Sequence, residues 1–410
     1  MTQPGLVSSG GSSAPIPADP RASRGALLED LRDRDEQPGL LVDGALWLGW
    51  DSVTWERSLD DLVGLVTFSG RARRPWGVKV DQLLQLRLGP DVLLTGRVDA
   101  LTVSAGTQGA LVSGHARDLA SVLLDSSALN SPPEWLGIDV LELARELASP
   151  FGIVVEADVD VGDPLDEHRL EVGETPWACL ERALRMRGVL GISDGRGRVR
   201  LTRPGVRRAE QRLDWTTAAA SQDRAIKEAS LVISSADRYR RILVRGQAPG
   251  WEALGTEGDD DAEALEDVYG VEGEAFDPGA RGDRTLILSA PKAVDADEAR
   301  AMAQWEATVR AARSHTVHVV VSGWRQRKGW PLWEPGLVVP VRIPPLELDT
   351  ELVIRSVRCT FDATGTQTQL SLARPGAYEP EQQLEPSQDV GSYWLSEFEK
   401  DLVIPKKEGG

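Results

Sequence analysis

Short apolar runs separated by turn residues fill the chain from Pro38 to about Asp125: GLLVDGALWLGW, LVGLVTFSG, KVDQLLQLRLGPDVLLTGRVDALTV and GTQGALVSGHAR. Strands broken by glycine-containing turns about every 8 to 12 residues point to a β-sandwich or barrel. The step Leu88-Gly89-Pro90-Asp91 supplies a hairpin turn within it.

The period then switches. Pro132 and Pro133 mark a linker, and IDVLELARELAS sets Val140, Leu141, Ala144, Leu147 and Ala148 at helical spacing. After the run FGIVVEADV, a second helix is predicted to open at Thr175-Pro176, with Trp177, Leu180 and Leu184 on its apolar face. Thr175 suits the N-cap and Pro176 the first helical position. Gly188 sits near its C-terminal end, and VLGISDGRGRVRLTRPG reads as a hairpin turning at Asp194-Gly195. Residues 126–206 therefore form a small α+β domain.

Strand character returns in SLVISSADRYRRILVRGQ and resumes after the helix DEARAMAQWEATVRAARS, whose apolar face is read as Met302, Trp305, Val309 and Ala312. Val317, Val319 and Val321 then share one strand face, as do Val357, Cys359 and Phe361. This second β domain, 207–378, contains the helix 296–313 and an acidic insertion, 248–282, expected to be a surface loop. Between Gln247 and Gly282 stand eleven acidic residues against one arginine, more carboxylates than a core can pair. The first 36 residues begin with a Gly, Ser and Pro-rich arm. Their segment GALLEDLRDRDE, with Leu27, Leu28 and Leu31 on one face, is either a short docking helix or a solvated lead-in. The tail 379–410 carries Tyr393, Trp394, Phe398 and Leu402, an apolar patch that suits docking on a neighbour or a loosely ordered terminus.

The two β regions echo each other. GRVDALTVSAGTQGAL lies over RSVRCTFDATGTQTQL, with Gly106-Thr107-Gln108 and Gly365-Thr366-Gln367 at an offset of 259. Two similar barrels per chain would let a closed ring of three chains present six similar modules. Two unrelated hairpins sharing a favoured turn would give the same tripeptide.

Composition narrows the function. The 410 residues carry a net charge of −18, which opposes wrapping a nucleic-acid backbone, since that binding rests on phosphate neutralisation. The two cysteines, Cys179 and Cys359, allow neither a disulfide framework nor a cysteine-rich metal site. No run approaches the roughly 18 apolar residues of a membrane span, and no secretory leader is seen at the N-terminus. His315 and His318 start one strand three positions apart, on opposite faces, which disfavours a shared metal. Asp259-Asp260-Asp261 lacks the alternation of a calcium loop. No nucleophile elbow, phosphate loop or zinc-protease motif occurs. Carboxylates such as Glu134 and Asp139 are too common here to single out a glycosidase pair. We expect no catalytic residue, cofactor or metal. Thirteen tryptophans are many, and Trp330 and Trp333, with Trp394 and Phe398 of the tail, are the candidate subunit contacts. Core packing is the competing reading for the first two.

Several blocks together resemble the baseplate hub proteins of Mu-type contractile phage tails, related to VgrG-like spike hubs and late-control-D tail proteins. They are GHARDLASVLLDSSA, LARELASPFGIVV, VGETPWACLERALRMRGVLGISDGRGRVRLTRPG, DRYRRILVRGQ, RAMAQWEATVRAARS and VSGWRQRKGWPLWEPGLVVPVRIPPLELDTELVIRSV. They run in order between about 40 and 378, and the arm, acidic stretch and tail fall outside the likeness. The resemblance implies a mainly β chain with α+β insertions, whose two tube-like barrels join those of two other copies in a trimeric ring. It implies contacts with a tail tube protein, a central spike and other baseplate proteins, with DNA only as passing cargo. A peptidoglycan-processing enzyme centred on 126–206, with Glu134 and Glu142, and a glycan-binding module centred on Trp330 are the competing classes. A negatively charged lumen, supplied by the acidic stretch, would keep DNA from adhering.

Overall fold

The structure, a computed structural model, describes residues 37–47, 50–72, 78–106, 109–215, 226–246, 270–290, 295–327 and 329–378. The N-terminal arm, the tail with Tyr393, Trp394, Phe398 and Leu402, and the aspartate run 259–261 lie outside them.

In the first β region, β1 (Pro38–Val42), β2 (Ala45–Trp47), β3 (Ser52–Ser58), β4 (Leu65–Ala72), β5 (Leu83–Leu88), β6 (Asp91–Gly106) and β7 (Gly109–Asp118) pair antiparallel in the order β3-β4-β7-β6-β5-β1-β2. Alternation decides which side is buried: in β3, Val53 and Trp55 point into the core while Thr54 and Glu56 stay on the wetter face. Gly89, in the left-handed region at φ +56°, makes the two-residue turn between β5 and β6.

The α+β segment contains β8 (Glu134–Ile138), α1 (Val140–Ala148), β9 (Val154–Ala157), β10 (Leu165–Arg169), α2 (Pro176–Arg187), β11 (Leu190–Ser193) and β12 (Arg198–Thr202). Its helix ends follow local chemistry. Asp139 caps α1 by accepting from Leu141 N and Glu142 N, Thr175 Oγ1 accepts from Ala178 N at 3.1 Å, and Gly188 ends α2 at φ +57°. Leu143, Leu147, Leu180 and Leu184 share one buried cluster with Cys179.

The second β region is β13 (Arg207–Arg208), β14 (Leu213–Asp214), β15 (Ile226–Ile233), and then, after an insertion, β19 (His315–Ser322), β20 (Leu337–Ile343), β21 (Leu348–Asp362) and β22 (Gly365–Ala373). Its order, β15-β19-β22-β21-β20, repeats the order β3-β4-β7-β6-β5. The two hairpins also share an irregularity. β6 and β7 close at Gly106 opposite Gly109 and bulge at Asp99; β21 and β22 close at Asp362 opposite Gly365 and bulge at Arg355. Turn and bulge both superpose at an offset of 256, not the 259 of the shared tripeptide. Gly106, the first letter of one tripeptide, ends the outgoing strand, whereas Gly365, the first letter of the other, begins the return strand, so the letters coincide three residues out of structural register.

The halves join where β21 pairs with β3, making one fourteen-stranded sheet over a shared apolar cluster that includes Trp55, Leu86, Trp324 and Leu372. Neither half closes into a barrel through strand pairing among the described residues. Alternation requires one buried face, and an open sheet satisfies it as well as a barrel; closure depends on edge pairing, which alternation does not encode.

The insertion is larger than the acidic stretch. Tyr239–Ala307 forms a compact unit of its own, with β16 (Arg241–Gly246) central between β17 (Val271–Phe276) and β18 (Thr285–Ser289). The segment RILVRG thus belongs to this unit and not to the second β region, and 271–276, expected in a loop, is a strand. The helix α3 (Ala296–Arg313) buries Ala299, Ala303 and Ala307 in this unit's core, with Met302 packed partly buried against it; of the face expected from its pattern, Val309 and Ala312 are buried and Trp305 is half-buried. Close approach explains the small residues: a Cβ on Gly273 of β17 would lie 2.1 Å from the Ala299 carbonyl carbon.

Candidate assembly surfaces

The seam between β21 and β3 is antiparallel, with Val357 opposite Arg57, Cys359 opposite Trp55 and Thr360 opposite Thr54. Cys359 and Trp55 fill the core side. On the other side Arg358 meets Glu56 at 3.2 Å, and Arg355, the bulged residue, reaches Asp60 at 2.6 Å. These pairs are partly solvated, so they add little stability and mainly hold register. Above the seam lies a groove of about 870 Å³ with Ser58, His318, Gln369 and Glu228 on its walls.

The groove belongs to a wider polar face of the sheet. Hydroxyls and amides dominate it: Thr54, Thr67, Ser113, Thr360, Gln369 and Ser371 alternate with the core residues of their strands. Ser52 and Ser69 bond across the strands at 2.8 Å. Several of its charges are paired, Glu56 with Arg358 and Asp99 with Arg117. In the described part of the acidic stretch Glu272 pairs with Arg245 at 2.8 Å and Glu274 with Arg241.

A buried polar junction ties the α+β segment to the first β region. Arg57, 9% exposed, donates to the Ser193 carbonyl. Asp118, fully buried, accepts from Gly64 N at 2.7 Å and Ala120 N at 2.9 Å. Burial pulls the Arg57 guanidinium down and pushes the Asp118 carboxyl up. Burial also pushes Glu334 up, but Arg57, Arg207 and Arg200 outweigh it and hold this carboxyl below its ordinary value. Thr95 N donates to the Gly195 carbonyl at 2.6 Å. A side chain at Gly195, φ +76°, would drive its Cβ to 2.3 Å from the Leu93 oxygen.

The groups with chemical potential are held in structural roles. Cys179 Sγ lies 3.4 Å from His168 Nε2, a geometry a thiol nucleophile could use, but burial raises the thiol to about 11 and lowers the imidazole. An active thiol needs the opposite shift. Asp139 is engaged in its cap, and Glu134 bonds Arg169 at 2.9 Å. Among the described residues no cluster of three or more His, Cys, Asp or Glu could hold a metal.

Of the tryptophans expected at subunit contacts, Trp333 is only 2% exposed, packed in the shared core. It is a core residue in this chain, because the loop returning from Trp324 folds it inward. Trp330 is half-buried, with the Arg327 guanidinium 4.4 Å from its ring centre. Trp394 and Phe398 fall outside the described residues. The free edges of β6 and β15 were not anticipated from sequence; the shared bulge reveals them only once the strands are paired.

Comparison with known proteins places these surfaces in context. Residues 120–203 match the family model of the second domain of baseplate hub protein gp44-like proteins, and 295–381 match the fourth domain of the Mu phage baseplate assembly protein GpP. The baseplate hub protein gp44 of Escherichia phage Mu is 28% identical over 349 residues, 82% of this chain and 86% of that protein. The 43 kDa tail protein of prophage MuSo2 from Shewanella oneidensis superposes with a TM-score of 0.71 at 25% identity, over 83% of this chain and 99% of that one. A tail protein from Neisseria meningitidis shares the fold, with a TM-score of 0.69 at 18% identity over 84% and 98% of the two chains. The chain is a homologue of the Mu baseplate hub protein and a structural component of the phage-tail baseplate.

Proposed function

We propose that the chain assembles as a homotrimeric ring joining a sixfold tail tube to a threefold membrane-piercing spike. The observation that carries this reading is the duplicated sheet: two modules with the same strand order and the same bulge, already joined edge to edge in one chain. Three chains supply six such modules, so a sixfold partner can seat on a threefold ring. The α+β segment and the unit 239–307 lie outside the repeat and are free to bind the spike and other baseplate proteins, and Trp330 is a contact residue.

In this reading the polar face of the sheet lines a channel for DNA or cargo. Hydroxyl and amide side chains line it, and arginines such as Arg358 and Arg355 face carboxylates, Glu56 and Asp60, that weaken their pull on phosphate, so cargo passes without sequence recognition. No helix among the described residues is long and apolar enough to cross a membrane, in keeping with a ring that abuts a spike. Light scattering on the full chain tests the assembly: three times 44.5 kDa, about 134 kDa, is expected for the closed ring. A single-chain mass at every concentration, with or without tube and spike proteins, would overturn it.

A further inference from the structure

The α+β segment carries three apolar side chains that its own core does not take up. Leu129 is 69% exposed, Leu136 74%, and Val172 is fully exposed. We propose that these three residues form a docking surface for another baseplate protein, one that presents an apolar face rimmed by basic side chains.

Backbone pairing brings the three onto one ribbon. Among the described residues β8 and β10 pair only with each other, and Leu136 of β8 lies directly opposite Glu167 of β10. The pairing continues past the strand ends, where Leu170 N donates to the Pro133 carbonyl and Ala128 N to the Glu174 carbonyl, both at 2.9 Å. Leu129 follows that last bond, and Val172 stands in the turn beside it. The inner side of the ribbon is taken by the segment's core, where Trp135, Ile138 and Leu165 are buried. Leu136 follows Trp135 and so points away from that core. Five residues separate Glu167 from Val172, roughly 17 Å of extended chain, a span that one protein contact covers.

These side chains stand on pinned backbone. Glu174 N donates to the Glu171 carbonyl at 3.1 Å and Glu171 N to Glu174 Oε2 at 3.0 Å, with Gly173 between them at φ +83°. Arg182 holds the same Glu174 carboxylate at 2.9 Å. On the facing segment Asn130 Nδ2 donates to the Glu146 carbonyl at 3.0 Å, next to Leu129. Apolar groups fixed in this way lose little freedom on binding. A single exposed leucine is ordinary, but three apolar residues grouped on one fixed ribbon mark an interaction surface.

The rim selects the partner's charge. Glu134, Asp166, Glu167 and Glu171 are exposed on the ribbon against one arginine, Arg169, which Glu134 and Glu167 share. The excess of carboxylate repels a second copy of the same surface and repels phosphate, so neither a twofold self-contact nor DNA fits it. Lysine or arginine around an apolar patch complements it. This inference uses the chain's place in the baseplate; it does not use the threefold ring.

The test places a thiol at the most exposed of the three, in the free full-length chain and in particles assembled with it. Both native cysteines are buried, so Val172→Cys supplies the reactive group. A maleimide is expected to label it fast in the free chain and at least about tenfold more slowly in the particle. The photoreactive residue p-benzoylphenylalanine in place of Val172 is expected to crosslink, in the particle, to a different protein at a peptide containing Lys or Arg. Adding Leu136→Glu to Val172→Cys should restore fast labelling in the particle, while light scattering on the free chain keeps the parent's mass. Adding Asp166→Lys with Glu171→Lys instead, which leaves Leu129 and Leu136 in place, should speed labelling about fivefold. Equal labelling of free chain and particle, crosslinks only to another copy of this chain, protection that survives either set of substitutions, or a changed mass with Leu136→Glu would each overturn the docking surface. A single-chain mass for the parent beside a protected thiol would remove the ring and leave this surface standing.

Discussion

Replacing Asp118 with alanine tests whether the buried junction holds the α+β segment against the first β region. The carboxylate accepts from two backbone N–H groups, Gly64 at 2.7 Å and Ala120 at 2.9 Å, and it is fully buried, so water cannot take its place. An orphaned buried donor costs about 2 kcal/mol, which gives about 4 kcal/mol for the pair. Asparagine keeps one acceptor oxygen and turns an NH₂ towards the other donor, so its cost is about half. A cooperative unit of about 300 residues unfolds with an entropy near 0.6 kcal/mol/K, so the alanine variant is expected to melt about 6 °C lower and the asparagine variant about 3 °C lower. Differential scanning calorimetry reads both. An alanine variant within about 1 °C of the parent would refute the two-donor account. So would an asparagine variant as costly as alanine, which would assign the effect to charge beside Arg57 instead of hydrogen bonding.

The arginines that hold Glu334 below its ordinary value make its contribution present above the unfolded value near 4.3 and lost as pH falls through the folded value. The melting temperature of Glu334→Gln should thus approach that of the parent on acidification, and a pH-independent difference would contradict the assignment. Gly273→Ala is expected to open the 239–307 unit, because the added Cβ meets helix backbone at 2.1 Å. Hydrogen exchange should speed in 241–246 and 271–276 while β21 stays protected, and unchanged exchange would show that the helix can shift. With thiols raised to about 11 at Cys179 and about 12 at Cys359, the native protein should give almost no reaction with a thiol reagent at pH 8 and two equivalents once unfolded; fast native labelling would contradict the burial.

What was legible in the sequence is what local chemistry encodes. Thr175, Pro176 and Gly188 delimit a helix by cap and dihedral preference, and the structure has it at Pro176–Arg187. The alternation of Val317, Val319 and Val321 marks a buried face that all three occupy. Long-range pairing was not legible. RILVRG reads as one more strand of the second β region, but its partners, Val271–Phe276 and Thr285–Ser289, lie beyond an acidic stretch whose pattern suggests a loop. The helix face read as Met302, Trp305, Val309 and Ala312 is buried at Val309 and Ala312, but the alanines that centre the contact at Gly273, Ala299, Ala303 and Ala307, are too small to stand out in the pattern. The repeat was visible through a shared tripeptide, yet its register lay in a bulge that carries Asp99 in one copy and Arg355 in the other. Geometry is repeated there and residue type is not. Trp333 could be read as a contact residue because it is large and aromatic, but it is core.

The repeat is imperfect in two places. The outer flank of the first module, β1, runs antiparallel to β5, while β13 and β14 run parallel to β20. Between β3 and β4 the chain needs only a short link, whereas between β15 and β19 it carries the whole unit 239–307. In a ring of three chains the central ladder would look alike at every step of sixty degrees, but the flanks and inserts only at every second step. A partner resting on the ladder alone would be blind to which module it touches, and one that reaches a flank would have three equivalent places to stand.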